Sequence, residues 1–185
     1  MNSFDPKTGT FKRYVNNASD PNSLSDNRVY DILEDREGFI WIGTYGGGLN
    51  KLDKTTGRIT AYKHDEKNKT SISSNSVWTI DEDDSHNLWL GTFGGGLSIF
   101  DRTKETFTNF KNDPNDSTTI PNNYCGAISE DSEGSIWIGV FGNVIAKYDP
   151  KDDSFKRYPI ETGSVTNISE FYSALYDSKG NLWFG

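Results

Sequence analysis

Two glycine triplets, Gly46-Gly47-Gly48 and Gly94-Gly95-Gly96, have the composition of a loop that cradles phosphate. That chemistry needs backbone N–H groups at a helix N-terminus, and usually a following Lys-Ser/Thr pair; the sequence supplies neither. The triplets read instead as bends where backbone passes close to its neighbours. Asp35-Arg36-Glu37-Gly38 and Asp131-Ser132-Glu133-Gly134 suggest calcium, but such a loop gathers about six or more oxygen ligands. Each of these segments offers two carboxylates and reads as a turn. His64 and His86 have no ligand spacing, no Gly-x-Ser-x-Gly elbow occurs, and Cys125 aligns with Val29 and Val77 on an apolar strand. No catalytic constellation, metal site or cofactor site is expected, and the chain does not read as an enzyme.

The elements that would carry these residues recur. Tryptophans stand at 41, 89, 137 and 183, so the steps are 48, 48 and 46 residues. Asp5, Asp53, Asp101 and Asp149 are each 48 apart. Each period holds an alternating strand (Val29 to Asp35), an Asp-x-x-Gly turn, a Trp-bearing strand (Phe39 to Gly43), a glycine-rich link, a third strand (Leu49 to Asp53), a second turn and a fourth strand. In the second copy Asn87 is read at the turn's glycine position, where a left-handed conformation is needed. Polar connectors at 16–27, 63–75, 111–123 and 159–169 join one period to the next; the first three tuck in Leu24, Ile72 and Ile120.

Four short antiparallel strands per tandem repeat describe an all-β fold, a β-propeller of four-stranded blades. The chain is expected to form one propeller segment, 1–185, of about four blades' worth. Residues 1–14 end a blade, 15–62, 63–110 and 111–158 are full repeats, and 159–185 begin another. Trp41, Trp89, Trp137 and Trp183 are packing pegs between blades, each needing a partner for its indole N–H. Gly46, Gly47, Gly94 and Gly95 are likewise structural. Two explanations of the ends stay open: a piece of a longer propeller, or partial blades that complete one another within a four-bladed ring or between two chains. Open blade edges predict self-association.

The net charge is −8 and basic residues do not cluster, which argues against nucleic acid. One cysteine excludes an internal disulfide. No apolar run approaches the roughly 18 residues that span a bilayer, and residues 1–7 do not form a signal peptide. No direct membrane insertion is expected.

Binding is better sought where the copies differ. First strands line a propeller's channel, and the aligned positions at its mouth are Arg28, Ser76, Tyr124 and Glu170, then Tyr30, Trp78, Gly126 and Tyr172. Arg28, Tyr30, Trp78, Tyr124, Glu170 and Tyr172 are the candidate ligand-binding residues. Aromatic faces beside charged groups suit a sugar, whose C–H groups pack on rings and whose hydroxyls take hydrogen bonds. Tyr45, Phe93 and Phe141, present in three copies, read as packing.

The unit Asn27-x-Val29-x-x-Ile32-x-Glu34-Asp35-x-x-Gly38-x-Ile40-Trp41-Ile42-Gly43-Thr44-x-Gly46-Gly47-Gly48-Leu49 resembles the two-component regulator propeller repeat, and the resemblance covers nearly the whole chain. It implies a periplasmic, seven-bladed propeller in the sensor region of a hybrid histidine kinase. It also implies an oligosaccharide ligand and a signal passed to a kinase that these residues do not contain. A protein–protein interaction propeller and a lyase-type propeller enzyme are the alternatives.

Overall fold

In the computed structural model, residues 1–160 and 170–185 are described; most of the connector at 159–169 lies outside them. The described strands are β1 (Asn2–Asp5), β2 (Thr10–Arg13), β3 (Val29–Glu34), β4 (Ile40–Thr44), β5 (Leu49–Leu52), β6 (Ile59–Tyr62), β7 (Val77–Glu82) and β8 (Leu88–Thr92). They continue as β9 (Gly96–Asp101), β10 (Thr106–Phe110), β11 (Cys125–Glu130), β12 (Ile136–Val140), β13 (Val144–Asp149), β14 (Ser154–Pro159), β15 (Ala174–Tyr176) and β16 (Leu182–Phe184). Three four-stranded antiparallel meanders result, β3–β6, β7–β10 and β11–β14, here called blades one, two and three. The hairpins β1–β2 and β15–β16 form separate two-stranded sheets. Blades meet through their first strands, β3 against β7, β7 against β11 and β11 against β15. The fold is the β-propeller expected from the repeat.

The repeated residues explain the architecture. In each Asp-x-x-Gly turn the Asp caps the turn and also holds the Trp. Asp35 Oδ1 accepts from the backbone N–H groups of Glu37 and Phe39, and its Oδ2 accepts from Trp41 Nε1 at 2.6 Å. The same indole bond joins Trp89 to Asp83 at 2.8 Å, Trp137 to Asp131 at 2.7 Å and Trp183 to Asp177 at 2.9 Å. A buried indole N–H without a partner would cost free energy, so the pin makes a large apolar ring compatible with burial.

The ring is then covered by the third strand of the next blade. Phe100 of β9 meets Trp41 edge-on at 5.6 Å between centroids, and Tyr148 of β13 meets Trp89 at 5.0 Å. Trp41 is 0% exposed, Trp89 4% and Trp183 60%, so the pin is common to all copies and the covering is not. One apolar cluster gathers Trp41, Leu49, Ile72, Val77, Leu90 and Phe100 across blades one and two. A second gathers Trp89, Leu97, Ile120, Cys125 and Ile138 across blades two and three. Leu24, Ile72 and Ile120 of the connectors are fully buried.

The glycine links are tight because neighbouring Ser and Thr side chains press on them. A Cβ on Gly47 would stand 2.1 Å from Ser25 Oγ, and one on Gly95 would stand 2.7 Å from both Ser74 and Thr92. The link ends also reach the next connector: Gly48 N–H donates to Asn75 O, and Gly96 N–H to Asn123 O.

One sequence assignment is corrected. The residue at the turn's glycine position in the second copy is His86, not Asn87. His86 has φ 66°, matching Gly38, Gly134 and Gly180 at 87°, 77° and 86°. Asn87 lies one residue later, and its backbone and side-chain amides donate to Asp83. That local bonding holds the turn closed and offsets part of the strain at His86.

Candidate functional site

Each first strand carries a β-bulge at its mouth end. The register of β3 on β4 slips between Val29 and Asp31, that of β7 on β8 between Val77 and Thr79, and that of β11 on β12 between Cys125 and Ala127. The extra residues are Tyr30, Trp78 and Gly126. A bulge leaves its residue out of the alternation and re-aims its side chain. Here it delivers Tyr30 and Trp78 to the rim of the channel. Gly126 carries no side chain because the Phe171 carbonyl oxygen fills the space: a Cβ would sit 1.8 Å from it.

With blade three bare at that position, rings from the second and fourth repeats meet across it. Trp78 stacks on Tyr172 at 5.8 Å and 23°, on Tyr30 at 5.5 Å and 16°, and on Phe93 at 4.6 Å and 24°. Phe93 meets Tyr124 edge-on at 4.5 Å, and Tyr124 stacks on Phe141 at 5.7 Å. The result is a continuous aromatic belt. Trp78 is its keystone and is partly buried among the other rings, and its Nε1–H has no acceptor among the described residues. Tyr30 at 51% and Tyr172 at 59% are its most exposed rings.

Polar groups flank the belt. The Arg28 guanidinium pairs with Asp26 at 2.7 Å and lies 4.5 Å from the centre of the Tyr45 ring. Its hydrogen bonds to Asp26 push its pKa further up, so it is a permanent cation. The Tyr172 hydroxyl donates to Glu170, which raises the tyrosine's pKa. Of the six candidate residues, Tyr30 and Tyr172 are each brought against Trp78. Tyr124 joins through Phe93, while Arg28 touches the belt through Tyr45 and Glu170 through Tyr172. Phe93 and Phe141 pack within the belt, and Tyr45 tilts against Tyr30 at 5.9 Å.

Below the belt runs a channel cavity of about 560 Å3, lined by Tyr30, Trp78 and Tyr172 above and by Asp31, Asp81, Glu82 and Glu130 deeper down. These carboxylates were not singled out from the sequence. Asp31 and Asp81 lie at different repeat positions, so alignment gave them no common signal, although both depart from their counterparts Thr79 and Leu33. Asp31 Oδ2 accepts from Ile80 N–H at 2.7 Å. Burial pushes Asp81 up to about 6, and the nearby charges of Glu130 and Asp31 push the same way. A channel so lined favours neutral or cationic ligands over anions.

The other chemical candidates are accounted for by packing. Cys125 is 1% exposed, and burial pushes its thiol pKa well above the usual range, which makes it a poor nucleophile. His64 Nδ1 lies 2.7 Å from Ile72 O within a connector, and His86 Nδ1 lies 3.2 Å from Glu82 Oε1. Among the described residues, no group of three or more His, Cys, Asp and Glu side chains is arranged to hold a metal ion.

Three stretches, 23–46, 71–94 and 119–142, match the family described as two component regulator propeller. Each runs from a connector's buried aliphatic residue through the Asp–Trp pin to the glycine link. The chain carries the two component regulator propeller repeat. Its fold is similar to the extracellular domain of the hybrid two component system BT3049 from B. thetaiotaomicron, with TM-score 0.77 and 27% identity over 99% of this chain and 22% of that one. It is also similar to the extracellular domain of the hybrid two component system BT4673 of the same organism, with TM-score 0.74 and 24% identity over 96% of this chain and 24% of that one. This repeat-bearing chain therefore spans about a quarter or less of those domains. Virginiamycin B lyase from Staphylococcus aureus shares the fold alone, with TM-score 0.64 and 19% identity over 85% of this chain and 48% of the lyase. No curated protein matches the chain.

Proposed function

We propose that this chain is a ligand-sensing propeller segment of a bacterial two-component receptor, held on the periplasmic side of the membrane, and that it recognises an oligosaccharide at the channel mouth. The observation that carries the reading is the aromatic belt: Tyr30 and Tyr172 each leave more than half of their surface to solvent and flank Trp78 over an acid-lined channel. Exposed rings at a cavity mouth accept the C–H faces of a sugar, and the carboxylates below accept its hydroxyl protons. Neighbouring propellers are extracellular domains of two-component systems, which supports the placement and the sensing role. The segment acts by binding; signal output belongs to a kinase outside these residues.

Titration calorimetry of the chain against neutral, anionic and amine-bearing oligosaccharides tests this. One neutral or amine-bearing class is expected to bind, and Tyr30→Ala and Tyr172→Ala are each expected to weaken it about tenfold or more, a loss of about 1.4 kcal/mol in binding. Binding that survives both substitutions unchanged would move the site elsewhere.

A further inference from the structure

The two complete blade interfaces share one hydrogen-bonded framework, and they differ in the cation that fills it. Between blades one and two, Arg102 of the turn after β9 lies with Nη1 3.0 Å from Asp35 Oδ2 and Nη2 2.8 Å from Glu82 Oε1. Its side chain is 15% exposed, and its Cζ lies 5.8 Å from the centre of the Trp41 ring. The Nη1 contact is ionic rather than an aligned hydrogen bond. One interface later the same framework returns. Asp83 holds the Trp89 indole as Asp35 holds that of Trp41. Glu130 accepts from Asp84 N–H at 3.0 Å as Glu82 accepts from Arg36 N–H at 3.0 Å.

The residue in the Arg102 position is Pro150, and a cavity of about 580 Å3 lies there, lined by Asp83, Glu130, Glu133, Trp89, Tyr148 and Pro150 among others. No basic side chain lines it. Asp84 and Asp101, also at its wall, are already paired, with Arg36 at 2.6 Å and Lys104 at 2.8 Å. Asn87 offers Asp83 a donor but no charge. Two carboxylates that bracket a guanidinium at one interface thus bracket a cavity at the next, with Trp and Tyr rings to stack a planar cation. The cavity opens among the turns at the ends of first and third strands, on the face opposite the aromatic belt.

We infer that this cavity is a docking site for an arginine side chain of a partner protein, whose guanidinium takes between blades two and three the place that Arg102 holds between blades one and two. Arginine is favoured over lysine because its planar fork can reach two carboxylates at once at the edge of the Trp89–Tyr148 pair, as Arg102 does beside Trp41. The inference is independent of the sugar reading, since it concerns another face and another ligand chemistry.

The test is an NMR titration of the full chain with N-acetyl-L-arginine amide, following the Trp89 indole N–H. A saturable shift is expected at about 10 mM probe or below, the range of a millimolar site. Pro150→Arg places a guanidinium in the cavity from within and is expected to abolish the shift. Pro150→Ala leaves the cavity open, so its shift should persist and shows that loss in the arginine variant is not a folding defect. No saturable shift in the parent, an equal shift with N-acetyl-L-lysine amide, or an undiminished shift in Pro150→Arg would each overturn the inference.

Discussion

The interface around Trp41 and the belt around Trp78 are both aromatic, and they use their rings in opposite ways. Trp41 is fully buried, its N–H is bound to Asp35, and Phe100 covers it from the next blade. Its surroundings recur at Trp89. Around Trp78 the rings come from one repeat position whose residue type changes between copies (Tyr30, Trp78, Gly126, Tyr172), the indole N–H has no acceptor among the described residues, and the flanking Tyr30 and Tyr172 remain exposed. At the two complete interfaces the repeated residues close surfaces, whereas at the mouth the residues that break the repeat leave surfaces open. The same distinction separates Arg102 from Pro150: a closed ion pair at one interface, a cavity at the next.

The largest effect should come from the closed region. Trp41→Ala removes a fully buried ring from a packed interface and should destabilise the chain by about 3–5 kcal/mol in urea denaturation. A midpoint like the parent's would dissolve the contrast. Asp131→Ala keeps the Trp137 ring but strips its N–H of the acceptor 2.7 Å away and frees the Glu133 and Ser135 amides. A loss of about 1–3 kcal/mol is expected, because partly buried donors are left unpaired.

Asp81 sharpens the contrast from the open side, since a channel carboxylate should oppose stability rather than supply it. Its folded-state pKa of about 6 lies above the ordinary 3.8. The folded state therefore binds this proton more tightly than the unfolded one, and the group's favourable contribution is full below about pH 4 and lost as pH rises through about 6. Asp81→Asn should raise stability at pH 7 by about 1–3 kcal/mol and flatten the fall between pH 4 and 6 that the parent shows. Unfolding midpoints across that range provide the check. The smallest effect on stability is expected at Tyr172→Ala: the ring is mostly exposed, so the midpoint should match the parent's while sugar binding falls.

Much of the fold was legible because it is periodic. Trp spacing, Asp-x-x-Gly turns and alternating apolar positions state the same strands three times over, and tertiary packing agrees with each local preference. The indole's partner was foreseeable as a need but not as Asp35, since a bond across six residues depends on how the turn folds back. The bulges at Tyr30, Trp78 and Gly126 have no signature in composition, yet they aim the belt. The substitution of His86 into a left-handed position hides the register of one turn by a residue. The site candidates at the mouth were found because their types vary between copies. The carboxylates Asp31 and Asp81 vary too, but their meaning depends on the channel they share. The Arg102 bridge is a contact between repeats and is invisible until two blades are laid side by side.

The central claim is that a repeated residue stabilises through the blade that covers it. Trp41 and Trp183 donate to equivalent turn aspartates, Asp35 and Asp177, at 2.6 and 2.9 Å, yet one is 0% exposed and the other 60%. Urea denaturation of Trp41→Ala and Trp183→Ala compares them directly. The first is predicted to lose about 3–5 kcal/mol and the second under about 1 kcal/mol. Equal losses would contradict the account, because the tryptophan would then be acting within its own strand and turn rather than between blades.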